Sequence, residues 1–167
     1  LKLIKNEMDK YFNDTPYKLS FEPGRYLVAN AGILVTSVIA IKNNGGINFL
    51  ITDAGMHSLI RPSLYDAYHE IEAIEKNSNQ LTNYTIAGPI CESSDIFAKN
   101  INLPKQKIGN LILIRDTGAY GKVMASNYNS RGLPIEILVN KNVFDTIHKP
   151  LSAEEYIAQD SIPDWLN

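Results

Sequence analysis

The first twelve residues place apolar side chains at helical spacing, with charged residues between them. This pattern predicts an amphipathic helix over 1–12, which should end at 13–16, where Asn, Asp, Thr and Pro follow one another. Its apolar positions are Leu1, Ile4, Met8, Tyr11 and Phe12. Residues 17–21 alternate as in a short strand, and 22–25 (Glu-Pro-Gly-Arg) predict a sharp turn at its carboxyl end. Helix, strand and turn together indicate the last unit of an α/β repeat, which cannot form a sheet alone.

From residue 33 onward the pattern changes to short β-branched segments separated by turn clusters. The predicted strands are 33–41, 47–52, 84–86, 111–114, 123–126 and 135–139. The turn clusters are 43–46, 116–118 and 127–132. Repeated short strands with turns between them are typical of an all-β sandwich or barrel. Ser152, with Glu155 three residues later, predicts a capping box and a final short helix over 153–159.

Composition narrows the class of protein. The 167 residues are 44% hydrophobic and 20% charged, which excludes collagen-like and disordered classes and suits one globular domain. The formal charge of −2 argues against a sequence-nonspecific nucleic-acid binder, which needs a basic excess. No apolar run reaches the roughly 18 residues of a membrane span, so no membrane partner is expected. The single cysteine, Cys91, excludes an internal disulfide and predicts a reducing cytoplasm. No metal site is expected, because no metal-ligand spacing joins the three histidines, His57, His69 and His148.

Two turns have residues suited to a phosphate or another anion. At 22–25, Gly24 lets a ligand approach the backbone, and Arg25 adds a cation with forked donors. At 118–121, glycines flank Tyr120, whose phenol can hydrogen-bond a phosphate. For 22–25 the alternative is a plain Pro-Gly turn with a surface ion pair. For 118–121 it is a turn that exposes an aromatic side chain.

Arg61 and Tyr65 could together bind a carboxylate. Arg61 stands next to Pro62, whose fixed φ stiffens the segment, and its guanidinium could take a substrate carboxylate bidentately. Tyr65, four residues on, could join it if the stretch is helical. The alternative is a solvated arginine and a core tyrosine.

The lone cysteine follows a rigid Gly-Pro pair and adjoins a carboxylate, Glu92. Cysteine is often fully buried and inert, but the carboxylate beside Cys91 weighs against burial because an unpaired charge is costly to bury. A neighbouring negative charge also disfavours the thiolate. The pair therefore favours proton donation over nucleophilic attack.

Five segments, taken in order, resemble the C-terminal half of the diaminopimelate decarboxylase family, pyridoxal-phosphate enzymes of fold type III. They are 22–32 (EPGRYLVANAG), 53–71 (DAGMHSLIRPSLYDAYHEI), 88–95 (GPICESSD), 118–121 (GAYG) and 126–139 (SNYNSRGLPIEILV). The resemblance implies a mainly β fold, with a β-sandwich or Greek-key C-terminal domain of an alanine-racemase-like enzyme over 33–167, including a short C-terminal helix. Residues 1–32 would be the C-terminal end of a (β/α)8 barrel.

The resemblance also implies roles for individual residues. The residues that bind pyridoxal 5'-phosphate would be Glu22, Gly24, Arg25 and Tyr120. The substrate-binding residues would be Arg25, Arg61, Tyr65 and Glu92. Cys91 would be the catalytic residue and would donate the proton that replaces carbon dioxide.

In the family, the positions that match these residues face defined chemical groups. Glu22 would lie at the pyridine nitrogen, and Gly24 and Arg25 at the phosphate. Arg61 and Tyr65 would bind the distal carboxylate of the substrate, and Glu92 its distal amino group.

The implied activity is that of a lyase in lysine biosynthesis, which converts meso-2,6-diaminopimelate to L-lysine and carbon dioxide. The choice of substrate rests mainly on Glu92, because relatives acting on ornithine or arginine differ at this position. His57 departs from the small polar residue expected there. The alternatives are a decarboxylase of another basic amino acid and a non-catalytic β module used for dimerisation.

The resemblance further implies a homodimer with active sites at the interface, where Cys91 and Glu92 serve the barrel of the partner subunit. No segment resembles the early strand that carries the Schiff-base lysine of the family, nor the glycine-rich phosphate loop that precedes 22–25. We therefore expect this chain alone to have no decarboxylase activity.

Overall fold

The described residues 2–33 contain two α-helices and no strand. The structure, a computed structural model, describes residues 2–75 and 79–166. Helix α1 (Lys2–Phe12) confirms the predicted amphipathic helix, of which Leu1 lies outside the described residues. The strand predicted for 17–21 is wrong, because no described strand lies beside these residues to complete their hydrogen bonds. Helix α2 (Gly24–Val28) begins within the predicted turn.

Eight strands follow in the described residues, and they confirm the mainly β prediction. They are β1 (Leu34–Asn44), β2 (Ile47–Thr52), β3 (Ile71–Ala73), β4 (Leu81–Ala87), β5 (Ile96–Pro104), β6 (Leu111–Ile114), β7 (Glu136–Asn140) and β8 (Val143–His148). Helix α3 (Arg61–Tyr65) lies between β2 and β3, and helix α4 (Ala153–Ile157) follows β8.

The first six strands form one mixed sheet, in the order β3-β6-β1-β2-β4-β5, and β7 and β8 form a separate hairpin. Within the sheet β2 and β4 are parallel, and the other neighbouring pairs are antiparallel. The end strands β3 and β5 contact each other. The sheet therefore curls into a nearly closed barrel.

The hydrophobic core lies inside this curled sheet. Strand β6 reads Leu-Ile-Leu-Ile and buries its alternate residues, Ile112 and Ile114, completely. The other members of the core are Val38, Leu50, Ala54, Leu59, Ile71, Ala73, Tyr84, Ile86, Phe97 and Leu103. Because β1, β2, β4 and β6 all contribute to one core, the loops that leave these strands start from fixed positions.

The sequence pattern predicted one further strand, 123–126, that the structure does not contain. It also missed three strands, β3, β5 and β8. Residues 123–126 do not form the predicted strand, since 122–124 form a 3-10 turn in which Met124 N donates to Gly121 O (3.2 Å). β3 is too short for a pattern to be visible. In β5 and β8, polar residues obscure the alternation of apolar and polar positions. These strands form because they pair with β4 and β7.

Two local signals are confirmed. The predicted turn between β1 and β2 has Gly45 and Gly46 at φ 58° and 82°, the left-handed region that glycine tolerates. At the start of α4, Glu155 N donates to the hydroxyl of Ser152 (3.1 Å), and Ser152 N donates to the carboxylate of Glu155 (2.8 Å). This helix ends at Ile157 rather than at 159.

Helix α1 and the β7–β8 hairpin expose apolar side chains. Leu3 is 84% exposed and Phe144 76%. Among the described residues no other helix or strand packs against α1. The two strands of the hairpin pack against each other, and Glu136 of β7 also forms an ion pair with Lys122 outside the hairpin (2.6 Å). These apolar surfaces are therefore not covered by the described part of the chain. That part also contains no helix long and apolar enough to cross a membrane.

Candidate functional site

The segments that carry the candidate residues meet at one edge of the curled sheet. β2 and β4 are parallel, with Ile51 opposite Ala87, so the segments after their carboxyl ends start side by side. β1 begins and β6 ends at the same edge, where Leu34 pairs with Ile114. The topology therefore collects four segments, 22–33, 53–65, 88–95 and 115–121.

The first and last of these segments pack backbone against backbone. Gly118 N donates to Ala29 O at 3.0 Å. A Cβ at Gly118 would lie 2.1 Å from the carbonyl oxygen of Val28, so only glycine permits this approach. The contact holds 22–33 against 115–121.

Gly118→Ala should loosen this contact. Because the new Cβ overlaps a backbone carbonyl, we expect the free energy of unfolding to fall by about 1–3 kcal/mol. Thermal melting measures the loss. The matched control is Gly132→Ala, where the nearest atom lies 3.8 Å from the new Cβ. Equal melting temperatures for the two variants would contradict the close contact.

Arg61 lies between two tyrosine rings. Its Cζ is 5.8 Å from the ring centroid of Tyr65 and 5.7 Å from that of Tyr120. Arg61 and Tyr65 lie in helix α3. The condition under which the sequence analysis paired them, a helical stretch, is therefore met. Arg61 Nε is buried and has no hydrogen-bond partner in the described structure. A guanidinium that contacts two aromatic rings and has an unused donor is suited to bind a carboxylate.

Tyr120 connects this arginine to the 22–25 turn. Its backbone has φ 59°, which is uncommon for a residue with a side chain and is concentrated at functional sites. Its hydroxyl lies 3.6 Å from the position that a Cβ would take at Gly24. One side chain therefore contacts Arg61 and also faces the predicted anion-binding turn.

Cys91 and Glu92 are exposed on the adjoining loop, 88–95. Cys91 is therefore not a core residue of this chain. The hydroxyl of Ser63, in α3, donates to Ser94 O at 2.6 Å. This hydrogen bond joins the helix of Arg61 to the loop of Cys91.

The same loop ends in a buried carboxylate, Asp95. Its oxygens accept the backbone N–H groups of Met56 (2.6 Å) and Ile90 (2.7 Å). Burial raises the pKa of Asp95 above its ordinary value, although these two hydrogen bonds and the charges of His57 and Arg131 act to lower it.

A second aspartate fixes the beginning of 53–65. Asp53 accepts hydrogen bonds from the hydroxyl of Thr36 and from Ser37 N (2.9 Å). Burial acts to raise the pKa of Asp53, but the hydrogen bonds outweigh it and the pKa lies below its ordinary value. His57 is buried in the same segment, and both burial and the positive charge of Arg131 lower its pKa.

The structure brings some of the predicted residues together and leaves others in solvent. Gly24, Tyr120, Arg61 and Tyr65 form one continuous set of contacts. Glu22 and Arg25 are exposed, and their side chains make no hydrogen bond or ion pair with the residues described. No group of three or more possible metal ligands occurs in 2–75 or 79–166. Sequence reasoning gave no part to Ser63 or Asp95, and it used Gly118 only as a glycine that flanks Tyr120. The only sequence signal for Asp95 is that an acid closes a loop opened by Gly-Pro.

Comparison with known protein families shows to which family the chain belongs. Residues 17–118 match the family described as pyridoxal-dependent decarboxylase, C-terminal sheet domain, which is more than half of the chain. The chain belongs to this family. The predicted resemblance is thereby confirmed.

Individual relatives support the same assignment. The chain is 46% identical over 149 residues to the diaminopimelate decarboxylase of Zymomonas mobilis, with 89% of this chain and 35% of that protein covered. The crystal structure of diaminopimelate decarboxylase from M. jannaschii in co-complex with L-lysine has a TM-score of 0.85 at 39% identity, with 99% of this chain and 38% of that chain covered. The Helicobacter pylori enzyme complexed with L-lysine has a TM-score of 0.76 at 41% identity, with 83% and 34% covered. The chain thus spans just over a third of the length of these relatives.

The residues at this edge fit the pyridoxal cofactor of the family. Gly24 lacks a side chain and so leaves space beside the hydroxyl of Tyr120, which can donate to a phosphate. Arg25 supplies a cation and Glu22 a carboxylate, and neither is engaged by another described side chain. The set therefore offers donors for a phosphate and an anion for a protonated ring nitrogen.

Proposed function

We propose that this chain is the C-terminal part of a pyridoxal-phosphate-dependent decarboxylase that converts meso-2,6-diaminopimelate into L-lysine and carbon dioxide. The observation that carries the proposal is Arg61, held between Tyr65 and Tyr120, with Tyr120 also beside Gly24. A carboxylate-binding group thus adjoins a cofactor-binding turn. Diaminopimelate has a second, distal carboxylate that would use it. Similarity to diaminopimelate decarboxylases supports the same substrate and a place in lysine biosynthesis.

Four residues hold the cofactor in this proposal. Gly24 and Arg25 bind its phosphate, Tyr120 contacts it through the hydroxyl, and Glu22 keeps the ring nitrogen protonated by facing it with a carboxylate. When bound, pyridoxal phosphate supplies the electron sink that makes loss of a carboxylate group possible.

The substrate is recognised at both ends. Arg61 and Tyr65 bind the distal carboxylate, and Glu92 accepts hydrogen bonds from the distal ammonium group. Arg25 lies on the cofactor side and contacts the substrate there. Because both distal groups are charged, a substrate that lacks one of them leaves a charged side chain unpaired.

Cys91 is the proton donor. Loss of carbon dioxide leaves the bonding electron pair on the α-carbon of the substrate. That carbon must gain one proton to give L-lysine. The Sγ–H of Cys91 supplies this proton, and solvent reprotonates the thiolate afterwards. Its exposed position on the 88–95 loop supports this role, since a donor must reach a substrate outside its own domain.

The proposal also assigns the domains and the assembly. Residues 1–32 form the C-terminal end of a (β/α)8 barrel, and 33–167 form the β domain, of the sandwich or Greek-key type. The complete enzyme is a cytoplasmic homodimer with active sites at the interface. The exposed apolar side chains of α1 and of the β7–β8 hairpin support burial against further protein in that assembly.

A substrate panel with the complete enzyme, supplied with pyridoxal phosphate, tests the function. We expect lysine and carbon dioxide from meso-diaminopimelate, and kcat/KM values roughly 10⁴-fold lower with ornithine and arginine, which leave charged groups of the site unpaired. Faster turnover of ornithine or arginine would indicate a decarboxylase of another basic amino acid. No carbon dioxide from any of them would indicate a non-catalytic module. The 167-residue chain assayed alone should be inactive.

Glu92→Gln tests the choice of substrate within the same assay. Loss of a hydrogen bond between charged groups should lower kcat/KM for diaminopimelate by roughly 10–100-fold. The matched control is Glu154→Gln on the exposed surface of α4, which should leave kcat/KM unchanged. Equal values for the two variants would contradict the role of Glu92.

A further inference from the structure

Asp95 is a buried carboxylate to which the proposed reaction gives no part. Only 3% of it is exposed, and it ends the loop that carries Cys91. Its Oδ1 accepts Met56 N–H at 2.6 Å and its Oδ2 accepts Ile90 N–H at 2.7 Å. One carboxylate therefore joins the loop to the segment that leads into the helix of Arg61.

The backbone of Asp95 closes the same loop. Its N–H donates to Glu92 O at 3.0 Å, and its carbonyl oxygen accepts Gly88 N–H at 3.0 Å. The residue before Cys91 is thus held by the side chain of Asp95, and the residue after it by the backbone of Asp95. The exposed thiol stands on a peptide that is fixed on both sides.

The carboxylate of Asp95 occupies space that two neighbouring glycines leave open. A Cβ at Gly88 would lie 2.3 Å from Oδ2, and a Cβ at Gly55 would lie 2.7 Å from the same atom. Glycines from two separate segments therefore make room for the carboxylate. A buried carboxylate needs such hydrogen bonds, since without them its desolvation is not compensated.

We propose that Asp95 is a positioning residue, which holds Cys91 and Glu92 where proton donation and substrate recognition require them. This inference rests on the proposed function. Asp95 touches neither substrate nor cofactor and acts through the hydrogen bonds at Ile90 and Glu92. Misplacement of a reacting group by about 1 Å can cost roughly 10²-fold in rate.

The test uses Asp95→Asn and Asp95→Ala in the complete enzyme with pyridoxal phosphate. The asparagine keeps one acceptor oxygen but turns its NH₂ group toward the other N–H donor, so one hydrogen bond is lost. We expect kcat to fall about 10-fold with asparagine and about 10²-fold with alanine, while cofactor affinity stays near that of the wild type. If the alanine variant fails to fold, the asparagine variant decides the result.

Two measurements report on the loop without the reaction. Amide hydrogen exchange should become faster at both Met56 and Ile90 in Asp95→Ala and at one of the two in Asp95→Asn. Exchange at Gln106, whose N–H donates to Tyr84 Oη (3.1 Å), should stay slow. The rate at which a thiol reagent alkylates Cys91, followed by peptide mass spectrometry, should also change. Asp160→Asn, at an exposed residue that follows α4, is the matched control and should leave all values unchanged.

Wild-type exchange at both Met56 and Ile90, a wild-type alkylation rate and a wild-type kcat in Asp95→Asn would overturn the positioning role. A fall in kcat with equal loss of cofactor affinity and of protection at Gln106 would also overturn it, because that pattern reports general destabilisation. If the wild-type enzyme decarboxylates none of the amino acids tested, the proposed function fails. Exchange and alkylation then still decide whether Asp95 holds the loop.

Discussion

Replacing Cys91 with alanine in the complete enzyme should lower kcat by about 10²–10⁴-fold, the usual contribution of a positioned general acid. The thiol is exposed, so its removal leaves no cavity in the core and no buried group unpaired. Cofactor affinity and melting temperature should therefore remain near those of the wild type. Carbon dioxide release measures kcat, and absorbance titration with pyridoxal phosphate measures the affinity.

The serine variant separates proton donation from packing. Cys91→Ser has nearly the same size but a hydroxyl that gives up its proton less readily, so its kcat should fall between those of wild type and Cys91→Ala. Single-turnover experiments locate the loss in the chemical step. Equal loss of cofactor affinity in both variants, with unchanged single-turnover rates, would contradict the role as proton donor.

The second large effect is expected at Arg61. Arg61→Lys keeps the charge but removes the planar guanidinium fork that lies beside two tyrosine rings. Since loss of one partner of a hydrogen-bonded charge pair costs about 2–5 kcal/mol, we expect kcat/KM for diaminopimelate to fall by roughly 10²–10³-fold. Arg115→Lys, at an exposed arginine that pairs with Glu72, is the matched control and should be neutral.

Inhibition by two diamines with different numbers of carboxylates shows what Arg61 binds. L-Lysine retains the carboxylate that decarboxylation leaves in place, whereas 1,5-diaminopentane has none. Arg61→Lys should weaken inhibition by L-lysine and leave inhibition by the diamine unchanged. Equal weakening of both inhibitors would show that Arg61 supports the site without binding the carboxylate.

The chemistry-bearing residues were visible in the sequence because their types are informative. A single cysteine beside an acid, an arginine beside a proline and a Glu-Pro-Gly-Arg turn each point to reactive or anion-binding groups without any knowledge of contacts. The segments that matched the family were therefore predictable.

The sequence did not predict strand β5, nor did it predict that 17–21 form no strand. A strand forms only where a neighbouring strand completes its hydrogen bonds.

The sequence alone determined the family, the residues that could do chemistry and the elements with strong local signals, such as α1 and the capping box of Ser152, because these depend on residue type and short-range spacing. Only the tertiary structure decided which of those residues meet. The parallel pairing of β2 and β4 brings the segment of Arg61 beside the loop of Cys91, and the carboxylate of Asp95 fastens the two together. Contacts between distant segments follow from sheet order and register, and no local pattern in the chain records them.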